Sequence, residues 1–246
     1  MNLNSNQLPL SAQKQQLDAE TSSQDFEDFI YLISHDVRNS VRALIELPQW
    51  IAEDLSSAGV AVEGSVADSI EMMNTHTGRL DRMLVDLLAF SRVGRMQDCS
   101  VHDVDVALTE VLEEMRIPAG FKVVTALDAN TLAMGERDIM TLFTQLISNA
   151  IKHHDETTGK VFVGLHEDAA STFLKVQDDG PGIPPEHHEK IFGAMTTLKP
   201  RDEVEGSGMG LAIVRKIAGV YGGRVEVGEG LSGRGTSFTV TLPKHA

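Results

Sequence analysis

Apolar residues recur along the first third of the chain at helical intervals. Phe26, Phe29, Ile30, Ile33, Val37, Val41, Leu44, Leu47, Ile51 and Leu55 stand mostly three or four positions apart, which places them on one face of an α-helix. The pattern predicts one helix of about twenty to thirty residues. Pro48 falls inside it, lacks the backbone donor that a helix interior uses, and predicts a kink. "SSAGVAVEGS" (Ser56 to Ser65) breaks the pattern with small residues and two glycines. The interval resumes with Val66, Ile70, Met73, Leu80, Met83, Leu84, Leu87 and Leu88, and Gly94 supplies a stop signal. Two such helices and a short turn make an antiparallel hairpin. One hairpin has an apolar stripe and nothing to bury it against, and pairing two hairpins into a four-helix bundle solves this, so a homodimer is expected. The competing expectation is that the stripe packs on the rest of the same chain.

After Arg95 the texture changes. Apolar alternation in "FKVVTAL", "KVFVGLHED", "STFLKVQDD", "GRVEVGEG" and "TSFTVTLP" predicts strands. "ERDIMTLFTQLISNAIKHHD" and "GMGLAIVRKIAGVYGG" predict helices. The elements come in mixed order rather than as regular βαβ repeats, which points to a mixed sheet with helices on one face. The expected class is therefore α+β: a helical hairpin over residues 25–97, then an α/β sandwich over residues 98–246. Residues 1–24, rich in Asn, Gln and Ser, are expected to be a polar tail or linker, or the start of a helix.

Composition narrows the function. The formal charge of the 246-residue chain is -15, which argues against nonspecific binding to nucleic acid or anionic lipid. It leaves room for local basic patches, as around Lys199 and Arg201. The single cysteine, Cys99, excludes an internal disulfide and fits a reducing, cytoplasmic compartment. No signal-peptide pattern opens the chain, and no apolar run approaches the ~18 residues of a membrane span.

Three segments carry candidate chemistry. In "GSGMGLAIVRK", Gly206, Gly208 and Gly210 precede an apolar helix. Glycines let backbone approach a ligand, and a helix start presents free N–H groups to an anion. The preceding "TTLKPRDEVE" reads as a mobile polar loop. In "VQDDGPGIPPEHHEKIF", Asp178 and Asp179 end a strand and run into Gly180 and Gly182. That is a good turn, or a buried carboxylate placed to accept a hydrogen bond from a ligand amino group. In "LFTQLISNAIKHHD", Gln145, Asn149, Lys152 and His153 share a polar face. The Asn149 amide oxygen is a suitable hard ligand for Mg²⁺, which needs few protein ligands. The pairs His153–His154 and His187–His188 do not suggest a transition metal, because neighbours on a helix do not converge.

The order of these segments is more informative than any one of them. A helical asparagine, a strand-end D-x-G-x-G, a loop and a G-x-G-x-G that opens a helix are followed by "GRGTSFTVTLP", with Gly233, Gly235 and Thr236 before a last strand. Residues 101–245 resemble the catalytic, ATP-binding domain of two-component sensor histidine kinases. The hairpin resembles that family's dimerisation and phosphoacceptor domain. "SHDVRN" resembles the phosphoacceptor box.

The resemblance implies a phosphorylated His35, with Asp36 orienting its ring and taking the other ring proton. Asn39 would place a water for dephosphorylating the partner. It makes Asn149 the magnesium ligand and Asp178 the acceptor of the adenine amino group, with Gly180 and Gly182 shaping that pocket. Gly206, Ser207, Gly208, Met209, Gly210 and Leu211 would form the phosphate side. Lys152, His153 and Thr236 are further nucleotide contacts. ATP and Mg²⁺ follow as cofactors, and a response regulator receiver domain as partner.

Three departures stand out. Ser40 replaces a frequent proline, which weakens the expected helix bend or moves it to Pro48. Gln145 replaces a frequent asparagine; the amide also cannot serve as the proton-accepting base that a gyrase- or chaperone-type ATPase needs there. Met195 replaces an aromatic after Phe192; it can still pack there, giving a looser anchor for the lid. About two dozen polar residues are too few to fold a sensory domain, so a separate or upstream sensor module is expected.

Overall fold

The computed structural model describes the backbone of residues 10–200, 203–204 and 206–244, and their side chains from residue 30 on except that of His35. Arg201 and the first nine residues of the expected tail lie outside the described residues. The chain divides into two compact units, Met1–Ser91 and Arg92–Ala246.

The first unit is the hairpin. Helix α1 spans Leu10–Ser57 and α2 spans Ser65–Arg92. The 48 residues of α1 exceed the expected twenty to thirty. The extension runs back through "LSAQKQQLDAETSSQ", whose Ala, Leu, Gln, Lys and Glu favour helix by propensity without any apolar interval. The helix passes through Pro48, where a kink is expected, as one continuous element. Proline removes one hydrogen bond, the one to the carbonyl four residues back, and the turns on either side keep theirs. Gly59 and Gly64, both with positive φ, make the turn between the helices. Inside the hairpin Val41, Leu84 and Leu88 are buried, and Arg38 on α1 faces Asp81 on α2 with Nε and Oδ1 3.6 Å apart.

The second unit is α+β. Strand β1 (Cys99–Asp103) leads into helix α3 (Val104–Glu114), capped by the Asp103 carboxylate, which accepts the N–H groups of Asp105 and Val106. Then come β2 (Phe121–Leu127), β3 (Thr131–Gly135), helix α4 (Glu136–Lys152), β4 (Gly159–Glu167) and β5 (Ser171–Asp178). Two 3₁₀ turns follow, then helix α5 (Gly210–Val220), β6 (Arg224–Glu229) and β7 (Thr236–Pro243). Five strands form one sheet in the order β2-β4-β5-β7-β6, with β2 and β4 parallel and the other pairs antiparallel. The sheet is mixed, as the element order predicts. The short pair β1–β3 forms a separate antiparallel ribbon.

Alternation along the strands decides where the core lies. Val161, Val163 and Leu165 of β4, Leu174 and Val176 of β5, and Phe238, Val240 and Leu242 of β7 are buried. The helices bring Ile139, Leu142, Phe143, Leu146 and Ile147 from α4 and Ile213, Val214 and Ile217 from α5. The start of α4 is fastened to the segment that enters this unit. The buried Asp138 Oδ2 accepts the Gly94 N–H and the Tyr221 hydroxyl, each at 2.8 Å. That hydroxyl in turn accepts the Gly135 N–H at 2.8 Å. Arg137 donates to the carbonyls of Arg92 and Arg95.

Candidate functional site

Asp178 is the last residue of β5, and the register sets Gln177 opposite Ser237 of β7. That pairing brings the start of β7 beside the Asp178 carboxylate. Oδ1 accepts the N–H of Gly180 at 2.9 Å and that of Thr236 at 3.0 Å. Oδ2 accepts nothing from the described residues. Asp178 is buried, and burial pushes its carboxyl above the ordinary range against the pull of the two amides.

Glycines make this packing possible. A Cβ on Gly235 would lie 2.0 Å from the Asp178 carbonyl oxygen, and its φ of +80° belongs to the left-handed region. Gly182, also left-handed, passes close to Gly235, where a Cβ would stand 3.1 Å from the carbonyl oxygen. Gly180, Gly182, Gly235 and Thr236 thus gather round one carboxylate.

A second cluster forms where α4 ends and α5 begins. Gln145 reaches the start of α5, with its Oε1 2.6 Å from where a Gly210 Cβ would be. The Lys152 ammonium nitrogen lies 3.7 Å from the corresponding point on Gly206. Gly208 has φ +77° and is pressed against the backbone of Met195 and Thr196; its carbonyl accepts the Thr196 N–H at 3.2 Å. The buried Ser207 Oγ accepts the Met209 N–H at 3.0 Å. No side chain caps α5, so the N–H groups at Gly210, Leu211 and the following residues point out of the helix start. Met209 is buried under the loop. Asn149 is partly exposed on the same helix as Gln145 and Lys152, and its side-chain amide makes no hydrogen bond to the described residues. His153 is held below its ordinary pKa by burial first and by the charges of Lys152 and Lys199 next, so its ring is neutral at pH 7.

A free amide oxygen beside an ammonium and an uncapped helix start suits a hard cation with phosphate oxygens. Among the described residues no group of three or more His, Cys, Asp or Glu side chains could hold a metal ion. Phe192 is buried edge-on to Phe238 with centroids 6.3 Å apart, and Arg215 lies 5.2 Å from its ring centre. Met195, which follows this anchor, is 49% exposed.

The remaining sequence candidates lie in the hairpin. His35 is in α1, and its side chain is outside the described atoms. Asp36 and Asn39 are exposed on the same helix. Sequence patterns do not reveal the Tyr221–Asp138 link or the pairing of His154 Nε2 with Asp179 Oδ1, because both join residues far apart in the chain.

Residues 134–246 match the family described as histidine kinase-, DNA gyrase B- and HSP90-like ATPase. The chain is 33% identical over 233 residues to the methanogenesis regulatory histidine kinase FilI of Methanothrix harundinacea (strain 6Ac), covering 92% of this chain and 25% of that protein. It is 31% identical over 238 residues to cyanobacterial phytochrome A of Nostoc sp., covering 92% and 29%. The chain therefore spans less than a third of either relative. The solved structure of full-length ShkA in complex with AMPPNP is similar over 89% of this chain and 46% of its own, with TM-score 0.64 at 23% identity, a likeness of fold. With a nucleotide-ATPase domain preceded by a helical hairpin that carries Ser34-His35-Asp36, the chain belongs to the two-component sensor histidine kinases.

Proposed function

We propose that the chain transfers the γ-phosphoryl group of Mg-ATP to His35 and passes it on to an aspartate in the receiver domain of a response regulator. The observation that carries the nucleotide half is the Asp178 carboxylate, with one oxygen held by two backbone amides and the other open at a cluster of glycines. An adenine amino group is the donor that such an oxygen suits. Gly180, Gly182 and Thr236 shape the base side. Gly206, Ser207, Gly208, Met209, Gly210 and Leu211 give the phosphates backbone N–H groups at the start of α5, with Lys152 adding charge and the neutral His153 a contact near the ribose. Asn149 would hold the magnesium ion, which neutralises phosphate charge when bound.

At His35 a neutral imidazole nitrogen attacks the γ-phosphorus in line. The N–P bond forms as the bond to the ADP oxygen breaks. Asp36 orients the ring and takes the proton from its other nitrogen. Asn39, one turn from His35, supports the reverse duty of placing a water against the phosphorylated regulator. The histidine kinase ThkA, similar in fold, has been solved in complex with response regulator protein TrrA, in keeping with such a partner here. The working form is a cytoplasmic homodimer whose hairpins pair through the exposed stripe, governed by a separate or upstream sensor module.

The test is incubation with γ-labelled ATP. The parent takes up acid-labile, base-stable label, and His35→Ala and Asn149→Ala take up none. Label that survives in His35→Ala sinks the assignment.

A further inference from the structure

His154 has no part in the function derived above, yet its side chain is only 2% exposed. It follows the C-terminal end of α4. Its ring stands edge-on to Phe121, with centroids 5.3 Å apart and planes at 87°. Two glycines leave it room: a Cβ on Gly159 would lie 2.7 Å from Nε2, and one on Gly180 3.3 Å from Cδ2.

Nδ1 accepts the Glu156 N–H at 3.0 Å and stands 3.2 Å from the Glu156 carbonyl oxygen. With Nδ1 as acceptor, the neutral ring carries its hydrogen on Nε2. Nε2 donates to Asp179 Oδ1 at 3.2 Å. The same oxygen accepts the Lys160 N–H at 2.7 Å. Asp179 therefore joins the end of α4, the start of β4 and the end of β5. Its neighbour Asp178 accepts instead from Gly180 and Thr236, at the glycine cluster. Asn149 and Lys152 are on the helix that ends at the ring, and Asp178 is on the strand that ends at the carboxylate.

We propose that His154 is a positioning residue for nucleotide binding. Its Nε2–H holds Asp179 and so sets the adenine side of the site, at Asp178, against the phosphate side, at Asn149 and Lys152. The proposal rests on the nucleotide reading of that site. It predicts that loss of this bond weakens ATP binding while leaving the rate of the bound complex alone, because the residue touches no reacting atom.

Two polar variants of the full chain separate reach from bulk. In His154→Gln the amide nitrogen reproduces the position of Nε2 and still reaches Asp179. In His154→Asn the side chain can accept from Glu156 but stops short of Asp179. Calorimetry with Mg-ATP should give His154→Gln a Kd within about threefold of the parent, and His154→Asn a Kd weakened about tenfold, with labelling rates at saturating ATP within about twofold of each other. Asp179→Ala should reproduce the weakening, and adding His154→Asn to it should cost nothing more. Equal affinities for the Gln and Asn variants overturn the proposal, as do additive losses in the double variant or a fall in the saturated rate with Kd unchanged. A parent that binds no nucleotide overturns the reading of the site itself, before any variant is compared.

Discussion

In the α/β unit Ile139, Leu142, Phe143, Leu146, Ile147, Ile213 and Ile217 have no exposed surface, whereas in the hairpin Leu32 is 63% exposed, Leu44 45% and Trp50 52%. Both regions are built from apolar residues at helical spacing. In the first, a sheet lies beneath the helices and alternation on β4, β5 and β7 fills the space between. In the second, two helices cover only Val41, Leu84, Leu88 and a few neighbours. One unit meets its own burial needs. The other leaves a stripe that only a further surface can cover. Under the proposed function that further surface is the stripe of a second hairpin.

The comparison can be broken most forcefully at Phe143. Phe143→Ala should lower the stability of the α/β unit by about 3–5 kcal/mol in urea unfolding, since it opens a cavity in a closed core. The hairpin transition should not move. A single merged transition shifted as a whole would show that the two units do not stand independently.

A smaller effect is expected at Leu44. Leu44→Ala should cost about 1–2 kcal/mol per chain, and only at concentrations where the chain is paired. Light scattering on a dilution series should show the variant dissociating at higher concentration than the parent. An equal cost in dilute, monomeric protein would place the stripe against its own chain.

The smallest effect concerns the Tyr221 hydroxyl. Tyr221→Phe should cost about 1 kcal/mol, the worth of the lost hydrogen bonds. Its pKa is pushed up to about 12 from an ordinary 10.0, by burial first and then by the Asp138 carboxylate, against the pull of the Gly135 N–H. Because the folded value is the higher one, this contribution is fully present below pH 10 and is lost as pH rises towards 12. The parent should lose stability over that window by more than the Phe variant does.

Most regular elements were legible where a period was strong, although α3, with Val104, Ala107, Leu108 and Val111 at helical spacing, was not predicted. Burial alternates along the whole of β5, which the residues from Leu174 to Gln177 follow, and α4 carries a face of seven buried positions, all apolar but Asp138. The start of α1 was not legible, because propensity without an apolar face leaves no period to detect. The ribbon β1–β3 escaped notice because each strand has five residues, too few for alternation to stand out. The glycine spacings of the site could be read because local backbone geometry imposes them. The links from His154 to Asp179 and from Tyr221 to Asp138 span 25 and 83 residues. Nothing local in the sequence requires either, since both depend on how the sheet and helices close.

The grip on Asp178 has a consequence for choice of base. Two main-chain donors pin one oxygen, so the carboxylate cannot swivel to suit its guest. Under the proposed function its open lone pairs face whatever the purine carries at its sixth carbon. An amino group offers a hydrogen there. A keto oxygen would bring lone pairs against lone pairs in a place too dry to screen them, so guanine nucleotides are turned away without any residue dedicated to refusing them.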